Sequence, residues 1–265
     1  MSIYILARPH HCENVFTYKG VNSPISIYFH LHHTKNYNML SSGPVFFTAL
    51  AIILGFAQGE DTIGFGPYFS LGPTQSWIRE ATTTLVLPKV PSPQEERLAL
   101  WPGMGTSGGD LIQALAVSFE SPAANCGASA GQWCTWASTL QGVQLGGKQV
   151  PASAGDRLTM HYVYNDSTGK YDQTVSINGN VVSTLSTSSG HAEGWGTAVE
   201  CQVDACTGTV AAHQYVDTVI TLNAADSTFA RTLAINEASS SGLTTSDNKV
   251  FKVSTINIQS HTFNI

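Results

Sequence analysis

The sequence predicts an all-β fold, a single two-sheet antiparallel β-sandwich. Three observations carry that expectation. Short runs rich in Val, Thr and Ile recur along residues 60–265 and are separated by Gly, Asn, Asp and Ser. No segment keeps an amphipathic helical period for three turns. No linker or internal repeat sets off a second domain, and one sandwich of about 200 residues is ordinary.

In chain order, strands are expected at 82–87, 97–101, 110–118, 132–138, 157–165, 171–178, 180–186, 196–203, 215–222, 228–235 and 251–265. The glycine-rich "GMGTSGG" (103–109) reads as a loop, since no helix follows it to cradle a phosphate. "NGN" (178–180) is a hairpin turn signal. In "DLIQALAVS" (110–118), alternation puts Leu111, Gln113, Leu115 and Val117 on one face and Ile112, Ala114 and Ala116 on the other. Both faces are apolar except for Gln113. An amide left unpaired among apolar side chains costs roughly 1–3 kcal/mol. Gln113 is therefore either a core amide bonded to backbone or a functional group.

The N-terminus divides differently. Val45–Phe56 is an apolar run broken only by Thr48 and Gly55, too short to span a bilayer comfortably. Ala57 and Gly59 then supply small residues before Glu60. Residues 39–59 thus read as a secretory signal peptide, the alternative being a buried core helix. Residues 1–38 read as an unstructured or spurious extension. They hold five of the nine histidines, His10, His11, His30, His32 and His33. The β-sandwich domain is 60–265, secreted and extracellular.

Setting Cys12 aside leaves Cys126, Cys134, Cys201 and Cys206, an even set for an oxidising compartment. Four cysteines allow three pairings. Cys126–Cys134 with Cys201–Cys206 is favoured, because each closes a short loop rich in Gly, Ala or Ser. A glycosylation sequon stands at Asn165-Asp166-Ser167. Residues 60–265 carry 9 basic and 17 acidic side chains, a net charge of −8. That surface disfavours nucleic acid and anionic membrane as partners. The chain has no HExxH or Walker loop, and its four remaining histidines show no zinc spacing. No metal or cofactor is implied, and a monomer is expected. Glu193 and Glu200 are seven apart, so a continuous strand would point them to opposite faces.

Several segments then resemble, in order, those of the fungal glutamic peptidases, the eqolisins. "SWIREATTTLVLPKVP" (76–91) is similar to their first Trp and Thr-rich strand ending in Val-Pro. "LWPGMG" (100–105) resembles their Trp-Val-Gly strand, and "LIQALAV" (111–117) the strand that carries the catalytic glutamine. "QWCTWAS" (132–138) resembles their paired tryptophans, and residues 152–180 their Gly-Asp turn and long hairpin. "TAVECQV" (197–203) falls where the catalytic glutamate strand belongs, and "QYVDTVITL" (214–222) resembles the last strand. The resemblance covers most of 76–222.

It implies a concanavalin A-like sandwich that hydrolyses polypeptide substrates in acid with a Gln–Glu pair. Carried over, Gln113 and Glu200 are that pair, with Glu193 a rival for the glutamate. Trp133 or Trp136 would wall the substrate groove, and Trp101 would pack in the core. Four acidic positions of the family are occupied by Gly105, Val117, Gly131 and Thr135. The alternative is a non-catalytic or glycan-binding sandwich that has lost the full site.

Overall fold

The computed structural model describes residues 16–20, 23–27, 64–94, 97–202 and 206–264. The proposed signal peptide, its cleavage point, Cys12 and the five N-terminal histidines lie outside the described residues. Strands β1 (Phe16–Gly20) and β2 (Ser23–Ile27) form a two-stranded sheet of their own. There follow β3 (Gly64–Leu71), β4 (Ile78–Val86), β5 (Leu98–Thr106), β6 (Leu111–Ser118), the one-turn helix α1 (Pro122–Cys126) and β7 (Trp133–Gln141). Next come β8 (Val143–Gly146), β9 (Val150–Ala152), β10 (Arg157–Asn165), β11 (Lys170–Ile177), β12 (Asn180–Thr187) and β13 (Ala192–Cys201). The chain ends with β14 (Thr209–Val210), β15 (His213–Leu222), β16 (Ala234–Asn236), β17 (Ala238–Ser240), β18 (Val250–Ile258) and β19 (His261–Thr262).

These strands make an all-β sandwich, with every ladder antiparallel. One layer runs β16-β3-β13-β5-β6-β7-β8, with β9 also on β7. The other runs β12-β11-β10-β4-β15-β18-β17. The layers meet in a single pair, Ala192 with Ile78. Between them lies the main core, which includes Phe69, Leu85, Leu100, Ile112, Trp133, Tyr162, Trp195, Tyr215 and Phe251. Two of its polar side chains are answered by backbone. The Tyr162 hydroxyl donates to the carbonyl of Pro102 at 2.7 Å, and Trp133 Nε1 donates to that of Pro88 at 2.8 Å.

Several sequence expectations need correction. β5 does not stop at Trp101 but continues through Gly103–Thr106. Its glycines stay extended because β13 and β6 hydrogen-bond to it on both sides. Residues 228–235 are a 3₁₀ turn, Phe229–Thr232, and then the short β16. The turn buries Phe229 against Phe251. Residues 251–265 divide into β18 and β19. β3, which no expected strand covered, pairs with both β13 and β16. Asn178 and Gly179 both take positive φ, 49° and 86°, as a two-residue hairpin between β11 and β12 demands.

Candidate active site

The site is built on the outer face of the first layer. Ile112, Ala114 and Ala116 of β6 enter the core, so Leu111, Gln113, Leu115 and Val117 point the other way, as alternation requires. Register extends this face across its neighbours. Gln113 pairs with Gly103 on β5 and Ser138 on β7. Leu115 pairs with Trp136, and Val117 with Ala99 and Cys134.

One half of the face is plugged. Ala99, Leu115, Val117, Phe119, Ala128, Cys134 and Trp136 form a second apolar cluster, with Trp101 and Cys126 packed on it. α1 and the turn after it bring Cys126 and Ala128 onto the sheet. Gly127 ends the helix in the left-handed region at φ 74°. The Cys126–Cys134 disulfide pins this loop to β7, and Cys201–Cys206 closes the end of β13. Both pairings are those expected from loop closure.

The other half is floored by glycine. Gly103 and Gly105 of β5 pair with Gly196 and Gly194 of β13. Gln113 stands at one side of this strip, 4% exposed, and its amide makes no hydrogen bond among the described residues. Leu111 and Trp101 lean in over Gly103, each close to where a Cβ there would lie.

Glu193 stands at the other side. The register between β13 and β5 shifts between Ala192 and Gly194. Ala192 and Trp195 are three apart, yet both enter the core. Glu193 and Gly194 must therefore both sit on the outer face, the signature of a bulge. Glu193 also has no side-chain partner among the described residues, and partial burial pushes its carboxyl above the usual carboxylate range. Its carbonyl is held by the backbone N–H of Thr74 at 2.8 Å. Counted in strand spacings and residue rises, the Gln113 and Glu193 Cα atoms stand about 12 Å apart, roughly 10 Å across and 7 Å along. Only glycines of β5 lie on the sheet between them.

Glu200 belongs to a different row. It shares the outer face but pairs with Ala99, four residues along β5 from Gly103. The bulge at Glu193 makes the two glutamates co-facial, where an unbroken strand would have opposed them. Glu200 Oε2 accepts from Trp101 Nε1 at 2.6 Å and Oε1 accepts from Gln202 Nε2 at 3.0 Å. Burial pushes its carboxyl up, and the bonds from Trp101 and Gln202 partly offset that. The opposite edge of the same indole, Cε3, lies 3.2 Å from the position a Cβ on Gly103 would take. Trp101 therefore stands between Glu200 and the Gln113 row, and the expected Gln113–Glu200 pair is not formed.

The tryptophan expectations change too. Trp133 lies fully buried in the core and walls no groove. Trp136 is on the outer face but only 5% exposed, and packs against Phe119. Trp101, expected in the core, borders the strip instead. Neither Trp133 nor Trp136 offers a free ring face for stacking a sugar. Of the four family acid positions, Gly105 floors the strip and Val117 lies in the plugged half. Thr135 is fully buried between Cys134 and Trp136, both of the outer cluster, so it faces the interior. Gly131 sits in the turn before β7 at φ 86°.

Asn165 closes the β10–β11 turn. Its Nδ2 donates to Asp172 at 3.0 Å and its Oδ1 accepts from Ser167 N at 3.1 Å. A buried polar group that the sequence did not single out is Gln173. With its amide oriented to suit its neighbours, its nitrogen donates to the carbonyls of Ser138 and Gln113. The satisfied core amide of this region is thus Gln173, not Gln113. No group of three His, Cys, Asp or Glu able to hold a metal occurs among the described residues. No helix among them is long and apolar enough to cross a membrane.

No protein-family model and no curated protein matches the sequence. Distant likenesses exist among solved structures. Two structures of scytalido-glutamic peptidase with transition-state analogues align at 13% and 14% identity with TM-scores of 0.46 and 0.47. They cover 71% and 72% of this chain and 98% and 97% of theirs. SCP-B, a member of the eqolisin family of peptidases solved with the tripeptide Ala-Ile-His, aligns at 13% identity and a TM-score of 0.46. It covers 74% of this chain and 98% of its own.

Proposed function

We propose that this is a secreted peptidase of glutamic type that hydrolyses peptide bonds in acid, with Gln113 and Glu193 as the reacting pair. The observation that carries the reading is the placement of these two side chains. Both are polar and uncommitted, and they flank a glycine floor on one face of the sheet. The Gln113 amide makes no bond to the described residues, which leaves it available to a ligand or water.

The chemistry suits the two residue types. An ionised Glu193 takes a proton from a water as it attacks the scissile carbonyl, then returns it to the leaving amine. Partial burial raises its carboxyl, which brings the acid–base pair closer to balance at mildly acid pH. The Gln113 amide donates N–H to the developing oxyanion, and it does not titrate in acid. Glycines at 103, 105, 194 and 196 let an extended peptide backbone approach the sheet closely.

The test is secreted protein assayed on a denatured protein at acid pH. Glu193→Gln should abolish cleavage, and Gln113→Ala should lower turnover about 10²–10³-fold, the usual loss of an oxyanion donor. Full activity in either variant, with folding intact, would exclude the pair. N-terminal sequencing of the same secreted protein should begin at or within a few residues of Glu60. A mature chain that retained residues 1–38 would overturn the secretion signal.

A further inference from the structure

We propose that Glu200 is a positioning residue, whose carboxylate fixes the Trp101 indole as the end wall of the Gln113–Glu193 strip and so gives the strip a flat apolar subsite beside Gln113. The kinetic part of this proposal rests on the peptidase reading; the structural part does not.

Three features point there. First, the Trp101–Glu200 contact is short, 2.6 Å, and its acceptor is a carboxylate. Charge-assisted bonds of this kind are about twice as strong as neutral ones and hold direction better. Second, Glu200 is 8% exposed and has no ion-pair partner among the described residues. Among those residues its oxygens are answered only by Trp101 and Gln202. A carboxyl kept buried in this way is costly, and the indole is what it orients.

Third, the orientation has a consequence at the strip. With Nε1 drawn toward Glu200, the six-membered ring edge leans over Gly103, the residue paired with Gln113. Leu111 leans over the same glycine from the β6 side. Together they form an apolar corner next to the Gln113 amide. Glu200 and Trp101 are cross-strand diagonal neighbours, since Trp101 pairs with Ala198, two residues from Glu200. That spacing puts long side chains within reach of each other. The substrate class implied is a peptide with a large apolar side chain adjacent to the bond cleaved, in preference to glycine or a charged residue.

The experiment compares Glu200→Gln, Glu200→Leu and Trp101→Phe by two readouts. The first is the Trp101 indole N–H resonance in protein labelled at tryptophan, assigned through Trp101→Phe. A hydrogen bond to carboxylate places it downfield and protects it from exchange. Glu200→Leu should move it upfield and expose it, whereas Glu200→Gln should keep most of the protection through its amide oxygen. An unmoved resonance in Glu200→Leu overturns the proposal, whether or not the protein is a peptidase.

The second readout is a pair of peptides that differ only in carrying Leu or Gly beside the cleaved bond. Glu200→Leu and Trp101→Phe should each raise KM for the Leu peptide roughly tenfold, the scale of about 1.4 kcal/mol. The rise should be smaller for the Gly peptide, so that the preference for Leu over Gly falls. Glu200→Gln should restore the preference. If Glu200→Gln abolishes cleavage as Glu193→Gln does, Glu200 is catalytic and the proposal falls. If no variant or native protein cleaves either peptide, the peptidase reading fails and the indole resonance still decides the positioning role.

Discussion

Thr74 is held by Asp226: its hydroxyl donates to Asp226 Oδ2 at 2.8 Å, while its backbone N–H donates to the carbonyl of Glu193, also at 2.8 Å. Asp226 thereby reaches the bulge that presents Glu193 without touching it. The same carboxylate accepts from Gln75 N and from the backbone and hydroxyl of Thr228. Burial pushes its pKa up, but the bonds from Thr228, Gln75 and Thr74 outweigh this and hold it at about 2.

A depressed carboxylate pKa contributes stability that is fully present above the unfolded value and lost as pH falls through the folded one. For Asp226 that window runs from about pH 4 down to about pH 2, and the contribution is on the order of 2 kcal/mol. The clamp on the Glu193 bulge therefore survives mild acid. Asp226→Asn turns an amide N–H toward donors and should cost about 2–4 kcal/mol at pH 6. Urea unfolding should show the native chain's advantage over the variant shrinking below pH 4 by that margin. Parallel curves for the two proteins between pH 2 and 6 would refute the assignment.

His213 also costs stability as pH falls, but over a higher window and because its charged form is disfavoured. It is 6% exposed, its Nδ1 is 3.0 Å from the carbonyl of Ala211, and its Nε2 has no partner among the described residues. Burial lowers its pKa to about 4, only partly countered by the Ala211 bond. The folded state thus resists a proton that the unfolded chain accepts below about pH 6.5. Stability should fall as pH drops from about 6.5 to 4, by about 3 kcal/mol in all, and then level off. His213→Phe keeps the ring and removes the titration. Its stability relative to the native chain should improve by about that amount between pH 7.5 and pH 4. A constant difference across that range would show that His213 does not titrate with folding.

Much of this was readable from the sequence, and what was missed has physical causes. The face of Gln113 followed from a period of two, because β6 is regular and both its faces are packed. The Asn178-Gly179 hairpin followed from the positive φ that its turn requires. Glu193 was legible only as a rival to Glu200, because a bulge adds a residue that period-two counting cannot see. Read as a continuous strand, β13 opposes Glu193 to Glu200; with the bulge, they share a face. The floor of the strip was hidden for another reason. Gly103 and Gly105 are poor strand formers, so "GMGT" reads as loop until β13 and β6 close on both sides of it. Trp133 and Trp136 are three apart and fall on opposite faces. Nothing in their local sequence says which of the two faces the core.

The plug over the lower half of the face depends on a covalent tie. Cys126 and Cys134 are eight residues apart, and closing so short a loop in the unfolded chain is worth about 2.5 kcal/mol in the chain-entropy account. Replacing both by Ala should lower stability by that order. It should also loosen α1 from Val117, Leu115 and Phe119, which are buried beneath it. The expected readout is faster amide exchange in 119–132 with β6 and β7 protected. Exchange that rises equally across β6 would show instead that the loop and the sheet open together.

Gly103 offers the most local probe of the strip. In an ordinary strand, Gly→Ala stabilises by about 0.4–1 kcal/mol through the unfolded state. Here a new Cβ would lie 3.0 Å from the carbonyl oxygen of Ile112, 3.1 Å from Leu111 Cδ1 and 3.2 Å from Trp101 Cε3. The carbonyl belongs to the β5–β6 ladder and cannot move without loosening it. Leu111 and Trp101 can move, but Trp101 is tied to Glu200. Overpacking of this kind costs about 1–3 kcal/mol, so Gly103→Ala should destabilise on balance. It should also swing the indole away from Gly103 and lengthen the bond to Glu200, shifting the Trp101 N–H resonance in the same direction as Glu200→Leu. Gly196→Ala is the control, because its Cβ would meet Phe69 O and Ser70 Cβ at 3.1 Å on the β3 side, away from Trp101. It should cost stability without moving that resonance. If Gly103→Ala is as stable as the native chain and leaves the indole resonance in place, the packing of Trp101 over the strip is wrong.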